Sequence, residues 1–332
     1  MSDATFSGFS IRPCLPGDRD AIMALVAVCQ TEEMGSPDPS MLAAVSAVWQ
    51  RSDFDLARDA WLAVGDDDQR ILGFSFLQPV ERADLQAFAS VRPEARGHGI
   101  GSALLAHVER RASEQLGRFA PEMRVVIQQW ITGGHRPARL LLESSGYAVV
   151  RHNLGMILEL AVEPAAPVWP AGITVRNPTS EADLRAAFVA YREAFQDHWG
   201  YAEQSYDEFV RTAIEIDTYD PSLWFLAMDG DVITGVAMCE TLPDRGWVND
   251  LAVRRPWRGR GLGEALLRHS FGEFYRRGQH TIGLGVDSQN LTGATRLYAR
   301  VGMRAERQYD ICEKVLRPGV GGESAGIVDD HE

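Results

Sequence analysis

The sequence predicts an α/β protein that is composed of two similar domains in tandem. Two observations predict it. The chain carries one ordered set of short patterns twice, and each copy contains a strand, a glycine-rich turn and a helix in succession. In the second copy, an apolar run over residues 247–253 leads to the turn at 258–263, after which Leu262, Leu266 and Phe271 recur at helical spacing.

The repeat has a period far longer than that of a solenoid, and the 332 residues suit two compact domains of roughly 150 residues each. Five patterns correspond in order: Ile11-Arg12-Pro13 with Val175-Arg176-Asn177, Trp61-Leu62-Ala63-Val64 with Phe225-Leu226-Ala227-Met228, Ile71-Leu72-Gly73-Phe74 with Ile233-Thr234-Gly235-Val236, the two glycine turns, and Gly146-Tyr147 with Gly302-Met303. A duplicated fold is therefore expected.

Each half is expected to contain a strand, two helices, a strand pair, the strand before the glycine turn, a helix, a strand, a helix and a last strand. Asp229-Gly230 predicts a hairpin between strands 224–228 and 232–240, and Asp66-Asp67-Asp68 predicts the equivalent turn. Prolines predict an extended linker over 163–172, and small and acidic residues predict a disordered tail over 318–332. We therefore expect an N-terminal domain over 1–162 and a C-terminal domain over 173–317.

The composition limits the classes of molecule that the protein is expected to bind. A net charge of −13 and a pI of about 5.1 argue against a nucleic-acid or anionic-membrane surface and favour a cationic substrate such as an amine. The four cysteines are scattered without metal or redox spacing, so we expect reduced, mostly buried thiols and no metal. With no export signal and no apolar run of about 18 residues, the expected location is the cytoplasm.

The glycine turns are the strongest functional signal. Strand, turn and helix together direct backbone N–H groups and a helix N-terminus towards one anion, and glycine lets phosphates approach the backbone. A P-loop would need G-x-x-x-x-G-K-[ST], which is absent, and neither turn fits the dinucleotide-binding fingerprint.

In the second half Pro256 precedes R-x-x-G-x-G and a Leu-Leu pair, and the first half repeats this device after Val91. This pattern resembles the acetyl-coenzyme A signature of the GCN5-related N-acetyltransferases (GNAT). The resemblance covers about residues 9–316, and the tandem arrangement is similar to that of bacterial two-domain acetyltransferases. It implies a splayed mixed sheet in each domain, with acetyl-coenzyme A between the fourth and fifth strands.

The resemblance also implies cofactor-binding residues. Backbone N–H groups from Gly259 to Glu264 would hold the pyrophosphate, and the strand before the turn would pair with the pantetheine arm. The implied set is Leu251, Ala252, Val253, Arg258, Gly259, Arg260, Gly261, Leu262, Gly263, Glu264, Asn290 and Tyr298 in the second half, with Val91, Arg96, Gly97, His98, Gly99, Ile100 and Gly101 in the first.

Asn290 and Tyr298, eight residues apart, resemble the family's Asn and Tyr after the fifth strand. A phenol with a pKa of about 10 can protonate the departing coenzyme A thiolate. Alternatively, Tyr298 packs in the core with Leu297 and Val301, and Asn290 caps the following helix.

The sequence offers several candidates for the general base and does not decide between them. Many family members have Glu on the strand before the turn, where this chain has Trp247. Asn249 could position a water molecule, whereas Asp250 should face the opposite side of the sheet unless a bulge turns it. Glu240 and His198 are the other candidates, and the ordinary pKa of histidine suits a base.

The first half lacks the candidate general acid and the candidate asparagine, because Leu142 and Gly134 occupy the positions of Tyr298 and Asn290. It could still hold coenzyme A, but we expect it to be non-catalytic or much weakened. The predicted function is an N-acetyltransferase that acts directly on a small cationic amine, with acceptor recognition by residues 188–216 and 241–246. A coenzyme A-binding sensor or scaffold and a protein N-acetyltransferase are the alternatives.

Overall fold

Two sets of strands and helices follow one another in the order that the repeated patterns predict, apart from one additional short helix in the first half. The computed structural model describes residues 8–78, 83–196, 199, 201, 203–290 and 293–319. The first half contains β1 (Phe9–Pro13), α1 (Arg19–Met34), α2 (Pro39–Gln50), α3 (Leu56–Asp59), β2 (Ala60–Gly65), β3 (Ile71–Leu77), β4 (Asp84–Val91), α4 (Ile100–Gln115), β5 (Val125–Thr132), α5 (Arg136–Ser144) and β6 (Ala148–Glu159). The second half contains β7 (Ile173–Arg176), α6 (Glu181–Phe195), α7 (Tyr206–Ala213), β8 (Trp224–Asp229), β9 (Val232–Thr241), β10 (Gly246–Val253), α8 (Leu262–Arg276), β11 (Thr281–Asp287), α9 (Ala294–Arg300) and β12 (Arg304–Arg317).

The described strands form one open mixed sheet of twelve strands, in the order β1-β2-β3-β4-β5-β12-β6-β11-β10-β9-β8-β7. The pairs β4–β5 and β10–β11 are parallel, and the other pairs are antiparallel. The α/β class with a mixed sheet is confirmed, whereas the sheets of the two halves, expected to be separate, are joined into one.

One feature differs from the expectation that each half keeps its own last strand. Strand β6 of the first half pairs with β11, and β12 of the second half pairs with β5. The two exchanged strands also pair with each other. Their apolar side chains complete the opposite cores, since Met156 packs in the second-half cluster and Cys312 in the first-half cluster.

Each half of the sheet is splayed as the family resemblance implies. Strand β4 pairs with β5 only over Asp84–Ala87, and β10 pairs with β11 only over Gly246–Val248. Beyond those residues the paired strands part, so the C-terminal ends of β4 and β10 lie beside V-shaped openings. These openings set the positions of the sites described below.

Local turn signals also agree with the structure. Gly230 has a φ of +57° in the hairpin between β8 and β9, and residues 66–68 form the turn between β2 and β3. Residues 161–172 contain neither helix nor strand, whereas most of the predicted tail lies outside the described residues. All four cysteines are free and buried. Within the described part of the chain, no helix combines the length and hydropathy that crossing a membrane requires.

Helices cover both faces of the sheet and produce two cores in each half. In the first half, one cluster contains α1, α2 and strand residues such as Phe74, and the other contains α4 with Ile100 and Leu104. The second half repeats this arrangement with α6 and α7 on one face and α8 and α9 on the other. The sheet therefore lies between two helical layers, and the openings are its main interruptions.

Candidate active site

The glycine turn of the second half has the backbone geometry that an anion site needs. Gly259 and Gly261 have φ values of +73° and +85°, in the left-handed region that L side chains rarely adopt. Gly261 is the N-cap of α8, and no atom beyond the adjacent residues lies within 4 Å of where a Cβ would stand on either glycine. The first N–H groups of α8 are therefore next to a stretch of accessible backbone, and this arrangement suits the binding of a diphosphate.

The two arginines of this turn differ in their contacts. Arg258 donates from Nε to the carbonyl of Val253 (2.9 Å) and from Nη2 to the carbonyl of Ala194 (2.8 Å). These bonds fasten the turn to β10 and to the last residues of α6. Arg260 is exposed and does not line the cavity beside the turn. An anion at this turn would meet the backbone and the helix N-terminus, and Arg258 and Arg300 also line the cavity.

A cavity of about 480 Å³, here called the loop cavity, runs from this turn along the parted end of β10. Of the predicted cofactor-binding residues of the second half, it is lined by Leu251, Ala252, Val253, Arg258, Gly259, Gly261, Leu262, Gly263, Glu264, Asn290 and Tyr298. Because β10 stops pairing with β11 at Val248, the following backbone has room for an added strand-like ligand. The cavity fits a long molecule with an anionic end and amide groups, as coenzyme A is.

A second cavity, of about 490 Å³, lies between the two halves and is called the central cavity. Helix α2 contributes one wall, and α7 and β9 contribute others. An ion pair between Arg51, next to α2, and Glu208 of α7 (3.2 Å) holds these walls together. Its aromatic lining consists of Trp130, Tyr191, Phe209, Tyr219, Trp224, Trp247 and Tyr309.

The two cavities meet at four residues that line both of them: Asn153, Asn249, Asp250 and Gly285. Asp250 reaches this junction because β10 has a bulge. Val248 pairs with Cys239 and Asp250 with Met238, so Asn249 is an extra residue. An extra residue reverses the alternation of side chains that follows it. The bulge therefore meets the condition under which Asp250 is expected to turn towards the site, against the regular alternation of the strand.

Electrostatics couple the groups around this junction. Burial and the nearby negative charge of Glu240 raise the pKa of Asp250 to about 6. Burial and the negative charge of Asp250 raise the pKa of Tyr298 to about 12. Among the described residues, neither Glu240 nor Asp250 has a hydrogen bond or an ion pair with a protein cation. The central cavity is thus lined by two carboxylates that the surrounding protein leaves uncompensated.

The other candidates are placed as follows. Tyr298 is 8% exposed, packs in the core and also lines the loop cavity, so its packing in the core does not remove it from the site. The N-cap of α9 is Gly293, so Asn290 does not occupy the capping position. Glu240 lines only the central cavity of the two, as does Trp247. His198 lies outside the described residues.

The first half has a cavity of about 520 Å³ beside its own turn, the first-half cavity. Val91, Arg96, Gly97, Gly99 and Gly101 line it, whereas His98 and Ile100 do not.

The side chains of this cavity differ from those of the loop cavity. Leu142 is 3% exposed and lines it without any proton to donate. Arg96 is occupied by ion pairs with Glu32 (2.6 Å) and Glu33 (2.7 Å). The turn is kept, but its surroundings are acidic and apolar.

Sequence reasoning missed the residues that the first half contributes to the second-half site. Asn153 of β6 and the wall formed by α2 enter through the strand exchange and the packing of the halves. No local pattern in the sequence marks either contribution, because both depend on which strands become neighbours.

Comparisons with known proteins agree with this geometry. Residues 186–303 match the profile described as "Acetyltransferase (GNAT) family", and residues 58–149 match "Acetyltransferase (GNAT) domain". A mycothiol acetyltransferase of Streptomyces scabiei is 32% identical over 257 residues, which cover 74% of this chain and 76% of that protein. A mycothiol acetyltransferase of Frankia casuarinae is 31% identical, with 70% and 69% covered.

Solved structures share the whole architecture. A GCN5-related N-acetyltransferase from Sphaerobacter thermophilus has a TM-score of 0.80 and 33% identity, and the match covers 94% of this chain and 97% of that one. A tandem GNAT protein from the clavulanic acid biosynthesis pathway has a TM-score of 0.66 over 94% and 100% of the two chains. At 15% identity the latter supports the fold alone. The chain belongs to the GCN5-related N-acetyltransferase family, as a tandem acetyltransferase that uses acetyl-coenzyme A.

Proposed function

We propose that the second half transfers an acetyl group from acetyl-coenzyme A to the primary amine of a small cationic molecule, with Tyr298 as the general acid. The observation that carries this proposal is the pair of uncompensated carboxylates, Glu240 and Asp250, in the aromatic central cavity. Carboxylates that are removed from water are costly unless a cation accompanies them, and aromatic faces also attract cations. An ammonium group supplies the missing charge.

Asp250 is the group that we assign as the general base. It lines both cavities, whereas Glu240 lines only the central one, so Asp250 alone of the two is beside the acetyl donor as well as the acceptor. A pKa of about 6 leaves it mostly ionised at neutral pH and able to take a proton. Glu240 then holds the ammonium by charge, and Asn249 can position a water molecule between base and amine.

Acetyl-coenzyme A supplies the activated acetyl group, whose bond to sulfur breaks as the bond to the amine nitrogen forms. The bound ammonium first gives one proton to Asp250, which releases it to solvent, and this frees the nitrogen lone pair. The nitrogen becomes strongly acidic as that lone pair is shared, so Asp250 can accept its second proton. Tyr298 donates a proton at the sulfur. These transfers support each other, because protonated Asp250 no longer raises the pKa of Tyr298 by its charge. The proton then passes from Asp250 back to Tyr298, directly or through solvent.

A small molecule is favoured over a protein acceptor. The cavity of about 490 Å³ has walls from both halves, and the Arg51–Glu208 pair connects two of them. The relatives named mycothiol acetyltransferase also point to a small acceptor. Among the described lining residues there is no lysine or arginine, so we expect amines without carboxylate or phosphate groups to be preferred. The first half is assigned no catalysis, and the buried free cysteines support a cytoplasmic location.

The test is a panel of amines assayed with acetyl-coenzyme A by release of the free thiol. The panel should pair each amine with its carboxylated analogue, for example an arylalkylamine with the matching amino acid. We expect acetylation of the simple amine at a kcat/KM at least about tenfold higher than that of its analogue. Equal use of both, or activity only on protein N-termini, would contradict the proposal.

Gly261→Asp tests the cofactor site separately. A side chain at a φ of +85° is strained, and a carboxylate there would repel the pyrophosphate. We expect the Kd for acetyl-coenzyme A to rise at least about a hundredfold, or about 2.7 kcal/mol. Titration calorimetry measures it, with Gly99→Asp in the first half as the matched variant. An unchanged affinity in Gly261→Asp would place the cofactor elsewhere.

The pH dependence should reveal Asp250. Because the base must be ionised, kcat/KM should rise with pH through an apparent pKa near 6 and then level off. Glu240→Gln removes the negative charge that helps to raise this pKa, so the rise should move to lower pH. A fall of about half a unit would increase the ionised fraction at pH 5 from about a tenth to about a quarter. An unmoved profile in Glu240→Gln would show that the titrating group is another one.

A further inference from the structure

We infer that Asn153, a residue of the first half, binds the reacting amine in the catalytic site of the second half. The inference rests on the proposed function and extends it by one acceptor-binding residue. It would make the site composite, because the strand that carries Asn153 belongs by sequence to the other domain.

The strand exchange places Asn153 at the junction of the two cavities. Strand β6 lies beside β11 with Gly155 opposite Gly285 and Asn153 opposite Asp287, and β10 lies on the other side of β11. A Cβ on Gly285 would stand 3.3 Å from the Oδ1 of Asn153. The absence of a side chain at Gly285 thus leaves room for the amide. Asn153 and Asp250 both line the loop cavity and the central cavity.

The amide of Asn153 has unused hydrogen-bonding capacity. Within the described part of the chain, its side chain makes no hydrogen bond, although it is half-buried. An amide carries an acceptor oxygen and two N–H donors, and here all of them are available to a ligand in the adjoining cavities. If Oδ1 accepts one N–H of the amine while Asp250 takes another, the nitrogen lone pair can turn towards the loop cavity. Asn153 would therefore orient the nucleophile.

The counterpart in the first half behaves differently. The offset that matches Gly146 with Gly302 also matches Asn153 with Tyr309. Tyr309 enters the first half on the exchanged strand β12, where its hydroxyl donates to the buried Asp38. The strand exchange therefore places Tyr309, which has a hydrogen-bond partner, in the half that lacks a counterpart of Tyr298. It places Asn153, whose side chain makes no hydrogen bond to the described residues, in the half that contains Tyr298.

The test compares variants of the full chain. Asn153→Ala should lower kcat/KM for the amine by about 10- to 100-fold, as expected for losing one hydrogen bond to a charged group. The Kd for acetyl-coenzyme A and the melting temperature should stay close to those of the wild type. Glu159→Ala is the control, because this substitution removes a hydrogen bond from Thr281 (2.9 Å) at the far end of the same strand pair. Glu159 lines neither the loop cavity nor the central cavity.

Asn153→Asp adds a readout that a purely structural role would not move. The new carboxylate has nearly the same shape and adds negative charge beside Asp250, so the rise of kcat/KM should move to higher pH. An active wild type with Asn153→Ala unchanged, or with a loss that Glu159→Ala matches, would overturn the inference and leave the proposed function intact. A wild type that acetylates no amine would instead overturn the proposed function, and this inference with it.

Discussion

Replacing Tyr298 with phenylalanine should lower kcat by roughly two to four orders of magnitude while the Kd for acetyl-coenzyme A changes little. The substitution keeps the ring, which packs in the core at 8% exposure, and removes only the proton donor beside the loop cavity. Steady-state thiol release gives kcat, and calorimetry gives the Kd. The two measurements separate the loss of an acid from the loss of a cofactor.

The matched control in the first half is Leu142→Ala. Leu142 is 3% exposed, so its truncation should leave a cavity that costs about 2–5 kcal/mol of unfolding free energy. The kcat of the remaining folded protein should be nearly unchanged. The reverse result would be a normal kcat in Tyr298→Phe and a loss of activity on damage to the first-half turn. It would show that catalysis belongs to the first half and not to the second.

Asp250→Asn should be as damaging, with a loss of roughly two to four orders of magnitude in kcat/KM. Asparagine has nearly the shape of aspartate but cannot accept a proton from the amine. The same change removes the negative charge that helps to raise the pKa of Tyr298, so that pKa should fall below about 12. A pH–rate profile and a spectroscopic titration of tyrosine, compared between Asp250→Asn and the wild type, measure the two effects.

Glu240→Gln is the control for Asp250→Asn. It removes the other uncompensated carboxylate of the central cavity, so it should raise the amine KM and shift the pH profile without the same loss in kcat. If Glu240→Gln abolished turnover and Asp250→Asn retained it, Glu240 would be the base. The bulge at Asn249 would then have no catalytic consequence.

Local structure follows from the sequence because its causes are local. The glycines at 259 and 261 adopt positive φ where the spacing before a helix predicts a turn, and Gly230 does so in the hairpin. Hydrophobic periodicity predicts α8, whose buried face includes Leu262, Leu266 and Phe271. The repeated patterns also predict the order of elements in both halves, since each pattern reports only on neighbours in the chain.

Which strands pair, and in which register, was decided only in three dimensions. An alternating strand has the same pattern whichever neighbour it takes, so the exchange of β6 and β12 left no local signal. The extra residue at Asn249 turns the side chain of Asp250 towards the junction of the two cavities. The alternation of the sequence alone would place that side chain on the other face of the sheet. The proposed amine site therefore depends on tertiary structure, because Asp250, Asn153 and the wall formed by α2 come together only through the packing of the two halves and the exchange of their last strands.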